Sequence, residues 1–234
     1  MSDPWERVAE GVWLIRGGIP RRMNVYAIRD GDGVALFDAG ISGMAAQLRE
    51  AASALGGLTR IILGHAHVDH RGAAPALDAP VFCHPAERAD AEGDGGLHYQ
   101  DLTKLMPPAR WVYPGLMKHW DGGPVAISGT LDEGDSVAGF QVVHLPGHAP
   151  GLIALWRETD RLALVSDAFY TVDAYTGLKT KPRLAHNAFN YNEEQARASL
   201  HELAMLKPEA AWPGHADPVI GNVYAALEEV VQKT

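Results

Sequence analysis

The sequence predicts a layered α/β fold, and three observations carry the prediction. Short apolar runs of strand length recur along the chain, punctuated by Gly, Pro and Asp. Between them lie segments with helical apolar spacing, such as EEQARASLHELAML at 193–206, where Ala196, Leu200, Leu203 and Ala204 share one stripe. The composition, 234 residues with 47% hydrophobic and 21% charged, is that of an ordinary globular protein. No repeat or flexible linker divides it, so one domain over 1–234 is the economical reading.

Taken in order, VWLIR (12–16), NVYAIRD (24–30) and GVALFDAG (33–40) are strands, with a DGDG turn at 30–33. Ser42 is placed to cap a helix running to about Leu55, which Gly56 and Gly57 end. RIIL (60–63) is the next strand, GHAHVDH (64–70) a loop, residues 72–78 a short helix and APVFCH (79–84) a strand. Residues 90–125 carry much Gly and Pro but also two Trp, two Tyr, two Met and two His, too many aromatics for a linker. They read as an insertion with helical turns around 99–106, either a substrate lid or a packed surface segment. PVAIS (124–128), GFQVVHL (139–145), LIALWRE (152–158) and RLALVSD (161–167) resume the β-pattern. The helix at 193–206, the strand and turn AAWPGH (210–215) and the helix NVYAALEEVVQ (222–232) follow.

Charge and composition remove several classes. The formal net charge is −9, and the basic runs RR (21–22) and KTK (179–181) are short, so nucleic acid and anionic membranes are poor partners. No apolar run approaches the ~20 residues that span a bilayer. The start, MSDPWERVAEG, has neither a basic nor an apolar leader region. The single cysteine, Cys83, cannot form an intrachain disulfide and reads as a buried structural thiol. A cytoplasmic protein acting on a small molecule is the expectation.

The chemistry concentrates where strands end. GHAHVDH places His65, His67, Asp69 and His70 directly after RIIL. His148 in LPGHAPG, Asp167 in LVSDAFY and His215 in WPGHADP each follow an apolar run, where Gly, Pro or Ser turns the chain out of a sheet. Imidazole and carboxylate are metal ligands, and loops at one sheet edge can converge on one point.

The ordered set HxHxDH, His, Asp, His, together with FDAG at 37–40, resembles the metallo-β-lactamase fold superfamily of metallohydrolases over about residues 12–220. The resemblance implies a four-layer αββα sandwich and a two-metal site. His65, His67 and His148 would hold one ion, Asp69, His70 and His215 the other, and Asp167 would bridge them. Asp38 would orient ligands from behind. Donors without thiolate suit zinc, with iron or manganese as alternatives. Two cations about 3.5–4 Å apart share a water and lower its pKa toward neutrality, so the resulting hydroxide attacks an ester, lactone or thioester carbonyl.

Tyr170, three residues after Asp167, resembles the tyrosine that faces the metals in N-acyl-homoserine-lactone lactonases, and a catalytic role for it follows from that likeness; Asp69 is the other candidate catalytic residue. PGHAPG is similar to a motif of glyoxalase II-like hydrolases, but the 19 residues after His215 leave no room for their helical domain. β-Lactamase-like or phosphodiester hydrolysis, and iron-dependent oxygen chemistry, are the alternatives. His84, His119 and His201 are expected outside the site. Phe169, Phe189, Tyr191 and the aromatic insertion suit an apolar substrate, a core or a homodimer interface equally.

Overall fold

The structure, a computed structural model, describes residues 5–18 and 22–233. The first four residues of the MSDPWERVAEG start, and Arg21 of the RR pair, lie outside the described residues. The first sheet follows chain order: β1 (Trp5–Ala9), β2 (Val12–Gly17), β3 (Met23–Asp30), β4 (Gly33–Phe37), β5 (Leu58–Ile62), β6 (Val81–Cys83) and β7 (Gly129–Thr130). Then come β8 (Ser136–Val137), β9 (Phe140–His144), β10 (Ile153–Arg157) and β11 (Leu162–Ser166), a hairpin of β12 (Tyr170–Val172) and β13 (Lys179–Arg183), and finally β14 (Ala210–Pro213) and β15 (Val219–Ile220). The second sheet runs β15-β14-β11-β10-β9-β8. The helices are α1 (Ala45–Ala54), α2 (Val68–Arg71), α3 (Arg88–Ala91), α4 (Ala109–Trp120), α5 (Glu193–Met205) and α6 (Val223–Val231).

Strand alternation makes the layers. In β2 and β3, Val12, Leu14, Tyr26 and Ile28 face the second sheet's Val142, Ile153, Leu155 and Leu164. Their neighbours Ile15, Val25 and Ala27 face outward and pack with Leu48, Ala51 and Ala52 of α1. On the far side, Ala154, Ala163 and Val165 pack with Leu200 and Leu203 of α5 and Leu227 and Val230 of α6. Helix, sheet, sheet and helix are thus held by three apolar layers, the αββα arrangement expected from the sequence.

The differences from expectation are local. Ser42 does not cap; its hydroxyl donates to the His119 carbonyl at 2.9 Å, and 3-10 turn Ser42–Met44 leads into α1. The second half of GHAHVDH is helical rather than a loop, and residues 74–76 form only a 3-10 turn. α4 was hidden because Pro107 and Pro108 precede it and Pro114 sits inside it, where a missing N–H breaks the helical pattern.

Candidate metal centre

The strands bearing the predicted ligands all point the same way. β4 pairs parallel with β5, and β11 pairs parallel with β14. β9 and β11 each run antiparallel to β10 and so share a direction. Their C-terminal ends therefore open on one edge, where Asp38 follows β4, His65 follows β5, His148 follows β9, Asp167 follows β11 and His215 follows β14. α2 carries Asp69 and His70 into the same space.

The seven residues meet there. Asp167 Oδ2 lies 3.2 Å from His70 Nε2, 3.3 Å from His215 Nε2, 3.5 Å from His148 Nε2 and 3.9 Å from His65 Nε2. His148 Nε2 is 3.0 Å from His67 Nδ1, and His215 Nε2 is 3.4 Å from Asp69 Oδ2. Two groups each bring their ligand atoms within 4.8 Å: His65, His67 and His148, and Asp69, His70 and His215. His84, His119 and His201 join neither; His84 stacks on His144, and His201 meets Glu228 on the surface.

The outward-facing nitrogens explain why the inward ones are held. His65 Nδ1 meets Ser166 Oγ at 3.1 Å, and His70 Nδ1 meets Asp38 Oδ2 at 2.9 Å. His148 Nδ1 meets Asn190 Oδ1 at 2.9 Å, and His67 Nε2 meets Tyr99 OH at 2.8 Å. Each ring is thus oriented from behind, the arrangement that metal-ligating imidazoles need. At the centre, His65 Nε2 and Asp167 Oδ1 are buried without any hydrogen-bond partner. Buried polar atoms are rarely left so, and a cation would satisfy both. The donor set fits a divalent metal pair.

A third grouping, Asp38 with His65 and His70, also falls within ligand distance. Its carboxylate is already used: Asp38 Oδ1 accepts Gly64 N–H at 2.7 Å, and Oδ2 accepts Ser166 Oγ–H at 2.8 Å as well as facing His70. Asp38 thus braces His70 and Ser166 from behind.

Backbone strain marks the same edge. Asp38, Ser166 and Ala216 have φ of 64°, 44° and 64°, a region side-chain-bearing residues rarely adopt. Gly214 is needed for a different reason: a Cβ there would stand 2.5 Å from His70 Cε1 and collide with Asp167 Oδ1.

Electrostatics divide the cluster in two. Burial drives His65, His67 and His148 toward the neutral, ligating form, and the charges of neighbouring histidines add to this for His65 and His67. Burial also pulls His215 down, but Asp167 and Asp69 overcome it and hold the imidazole at about 9. His70 is likewise raised, by Asp167, Asp38 and Asp69 against burial. Burial favours the neutral acid in Asp69, yet His70 and His215 keep it ionised with a value of about 2.

Comparisons with known proteins agree with this geometry. The family model described as the metallo-beta-lactamase superfamily matches residues 18–215. This chain belongs to the metallo-beta-lactamase superfamily. It is 29% identical to "Probable metallo-hydrolase YflN" of Bacillus subtilis (strain 168), over the whole chain and 98% of that protein. The metallo-beta-lactamase family protein TTHA1429 of Thermus thermophilus superposes with a TM-score of 0.70 at 25% identity, covering 96% of this chain and 79% of the other. TTHA1623, solved in a di-iron-bound form, has a TM-score of 0.65 at 28% identity, covering 91% of this chain and 96% of its own.

Several residues that support this superfamily site left no sequence signal. Asn24, fully buried on β3, donates through Nδ2 to the carbonyls of Pro213 and Ala216, both at 2.9 Å. Tyr26 OH donates to the Pro213 carbonyl at 2.6 Å. Together they clamp the His215 turn across the two sheets. Glu87, fully buried, accepts Ala66 N–H and Gly151 N–H, each at 2.7 Å, and so joins the His65–His67 segment to the His148 loop. A lone acid in HPAE, a polar Asn in a strand and a tyrosine in GLHYQ have no periodicity that could expose such roles.

Beside the cluster lies a cavity of about 180 Å³. His67, Asp69, Tyr170 and His215 form its floor, and Tyr113, Met117 and Trp120 of α4 its roof, with Ile41 and Phe189 at the sides. The insertion thus covers the site rather than lying elsewhere. The Tyr170 hydroxyl donates to Asp167 Oδ2 at 2.7 Å. The phenol that the resemblance set facing the metals is engaged with the central carboxylate.

Among the described residues, no helix is long and apolar enough to cross a membrane.

Proposed function

We propose that this protein is a dinuclear metal-dependent hydrolase of small esters, lactones or thioesters. His65, His67 and His148 hold one divalent ion, Asp69, His70 and His215 the other, and Asp167 sits between them. The observation that carries the reading is the position of Asp167 Oδ2, 3.2 and 3.3 Å from His70 and His215 on one side and 3.5 Å from His148 on the other. The names of the matched relatives, metallo-hydrolases among them, support it.

When bound, two such ions supply Lewis acidity that brings the pKa of water from about 15.7 toward about 7 and polarises the carbonyl under attack. The protein's own residues do the rest. The α4 roof holds the apolar part of the substrate and excludes water from the floor. Asp69, ionised at any physiological pH, accepts a hydrogen bond from the attacking water and fixes its direction. Burial, with Asp167 and Asp69 nearby, keeps the Tyr170 phenol protonated, so on turning away from Asp167 it donates its single O–H to the carbonyl oxygen or leaving group.

Zinc is the first metal to test, and the di-iron form of TTHA1623 makes iron the second. The experiment is metal analysis of zinc-, iron- and manganese-loaded protein, followed by an activity screen over lactones, esters, thioesters, β-lactams and phosphodiesters with oxygen uptake recorded in parallel. Two metals per chain and acyl hydrolysis are expected. Oxygen uptake without hydrolysis would replace this reading with iron-dependent oxygen chemistry. Tyr170→Phe should lower kcat by about tenfold to a thousandfold. Because the phenol also holds Asp167, metal content must be measured alongside.

A further inference from the structure

The cavity contains a charge that the protein leaves unanswered. Among the described residues, Arg22 is the only lysine or arginine lining it. Its Nε is buried with no hydrogen-bond partner, and no ion pair or aromatic ring engages the guanidinium among the described residues. The chain has 29 acidic residues against 20 basic ones, so a missing carboxylate is not for want of supply. Two carboxylates line the same cavity and both are used elsewhere. Asp173 pairs with Arg183 at 2.9 Å and accepts the Tyr175 and Thr176 amides, while Asp69 faces His215.

Arg22 is also held in place. Its carbonyl accepts Ala216 N–H at 2.8 Å, and the next residue, Met23, forms a bridge with His215. The backbone bearing the guanidinium is therefore pinned to the ligand loop. A guanidinium that lines a cavity without a protein partner is free to pair with a ligand, and its planar form pairs best with a carboxylate through two parallel hydrogen bonds. The cavity's volume, about 180 Å³, is below the ~300–1,000 Å³ of pockets that hold drug-sized ligands.

Resting on the hydrolase reading above, we propose that the substrate is a small acyl ester, lactone or thioester that carries a carboxylate. The carboxylate pairs with Arg22, and the apolar part lies against Tyr113, Met117 and Trp120.

Two measurements test this separately from the hydrolase reading. The first is binding to the metal-loaded protein of 4-phenylbutanoate and its neutral isostere 4-phenylbutanamide, neither of which can be turned over as an ester. The acid should bind on the order of tenfold to a hundredfold tighter. Arg22→Met should erase the difference, and Arg22→Lys should retain part of it because the charge survives without the planar fork. Thermal melting of each variant shows that it is folded. The second is hydrolysis of mono-p-nitrophenyl glutarate against p-nitrophenyl valerate, whose kcat/KM ratio should favour the anionic ester and collapse in Arg22→Met.

Equal binding of acid and amide overturns the proposal. So does an acid preference that survives in Arg22→Met, because the carboxylate is then held by the metals. If the binding preference depends on Arg22 but no acyl compound is hydrolysed, the anion subsite stands and the hydrolase reading falls.

Discussion

In the histidine cluster at and beneath the cavity floor His65 is fully buried, and His67 and His148 are 4% and 3% exposed; on the roof Trp111 is 68% exposed and Val112 50%. The floor is made of loops and a short helix at strand ends, its histidine rings fixed from behind by partners such as Asp38, Ser166, Asn190 and Tyr99. The roof is one helix with Tyr113, Met117 and Trp120 turned inward and its outer face left to solvent. The inserted segment that bears the roof is fastened near both its ends. Arg71, fully buried, donates to the carbonyls of Asp90, Ala91 and Gly93 and pairs with Asp121 at 3.3 Å. Ser42 holds the His119 carbonyl. The contrast separates two tasks: ligand atoms must be placed to a fraction of an ångström, whereas a surface that meets variable apolar groups needs only to be present.

The comparison breaks most sharply at a proposed metal ligand. His67→Ala should reduce metal content and lower activity by more than about a hundredfold, beyond the 10–100-fold typical of losing an outer-shell partner. His119→Ala and His201→Ala should change neither. Metal analysis and steady-state kinetics on the same preparations check both.

Arg71→Met tests the fastening of the roof. It strands three carbonyls and frees a partly exposed Asp121, and a buried polar group left unpaired costs on the order of 1–3 kcal/mol. The melting temperature should fall and limited proteolysis should cut within residues 90–121. Retained metal binding would show that floor and roof are independent.

The floor should respond to pH through Glu87. Burial pushes its carboxyl up from the ordinary 4.5 to about 7, against the Gly151 and Ala66 N–H groups that pull it down. The folded state then binds more protons than the unfolded chain between those two values. Stability from this group is greatest below about 4.5 and falls as pH rises to about 7, by ~3 kcal/mol. Denaturant unfolding of metal-free protein from pH 5 to 8 should show the decline, and Glu87→Gln should flatten it. An equal slope in both proteins would assign the decline to other groups.

The smallest effect belongs to the outer roof. Trp111→Ser, on an exposed face, should shift stability by no more than ~0.5 kcal/mol and leave kcat unaltered. A larger loss would mean that this face has a partner, such as a second copy of the chain.

The sequence by itself determined the layered α/β plan and the order of the ligand-type residues. Strand alternation and the His-rich strand ends are local patterns, written in spacing alone. His65, His67, Asp69 and His70 sit within six positions of one another, and His148, Asp167 and His215 each follow a recognisable apolar run. What only the tertiary structure decided was which groups stand behind and above them. Asn24 reaches Pro213 across 189 positions, Ser166 reaches Asp38 across 128, and Tyr99 reaches His67 across 32. Such partners are chosen by where two sheets and a helix come to rest, a distance no local period records. The same holds for Tyr170, whose hydroxyl turns to Asp167, and for Arg22, whose guanidinium acquires meaning only once α4 closes the space above the His215 turn.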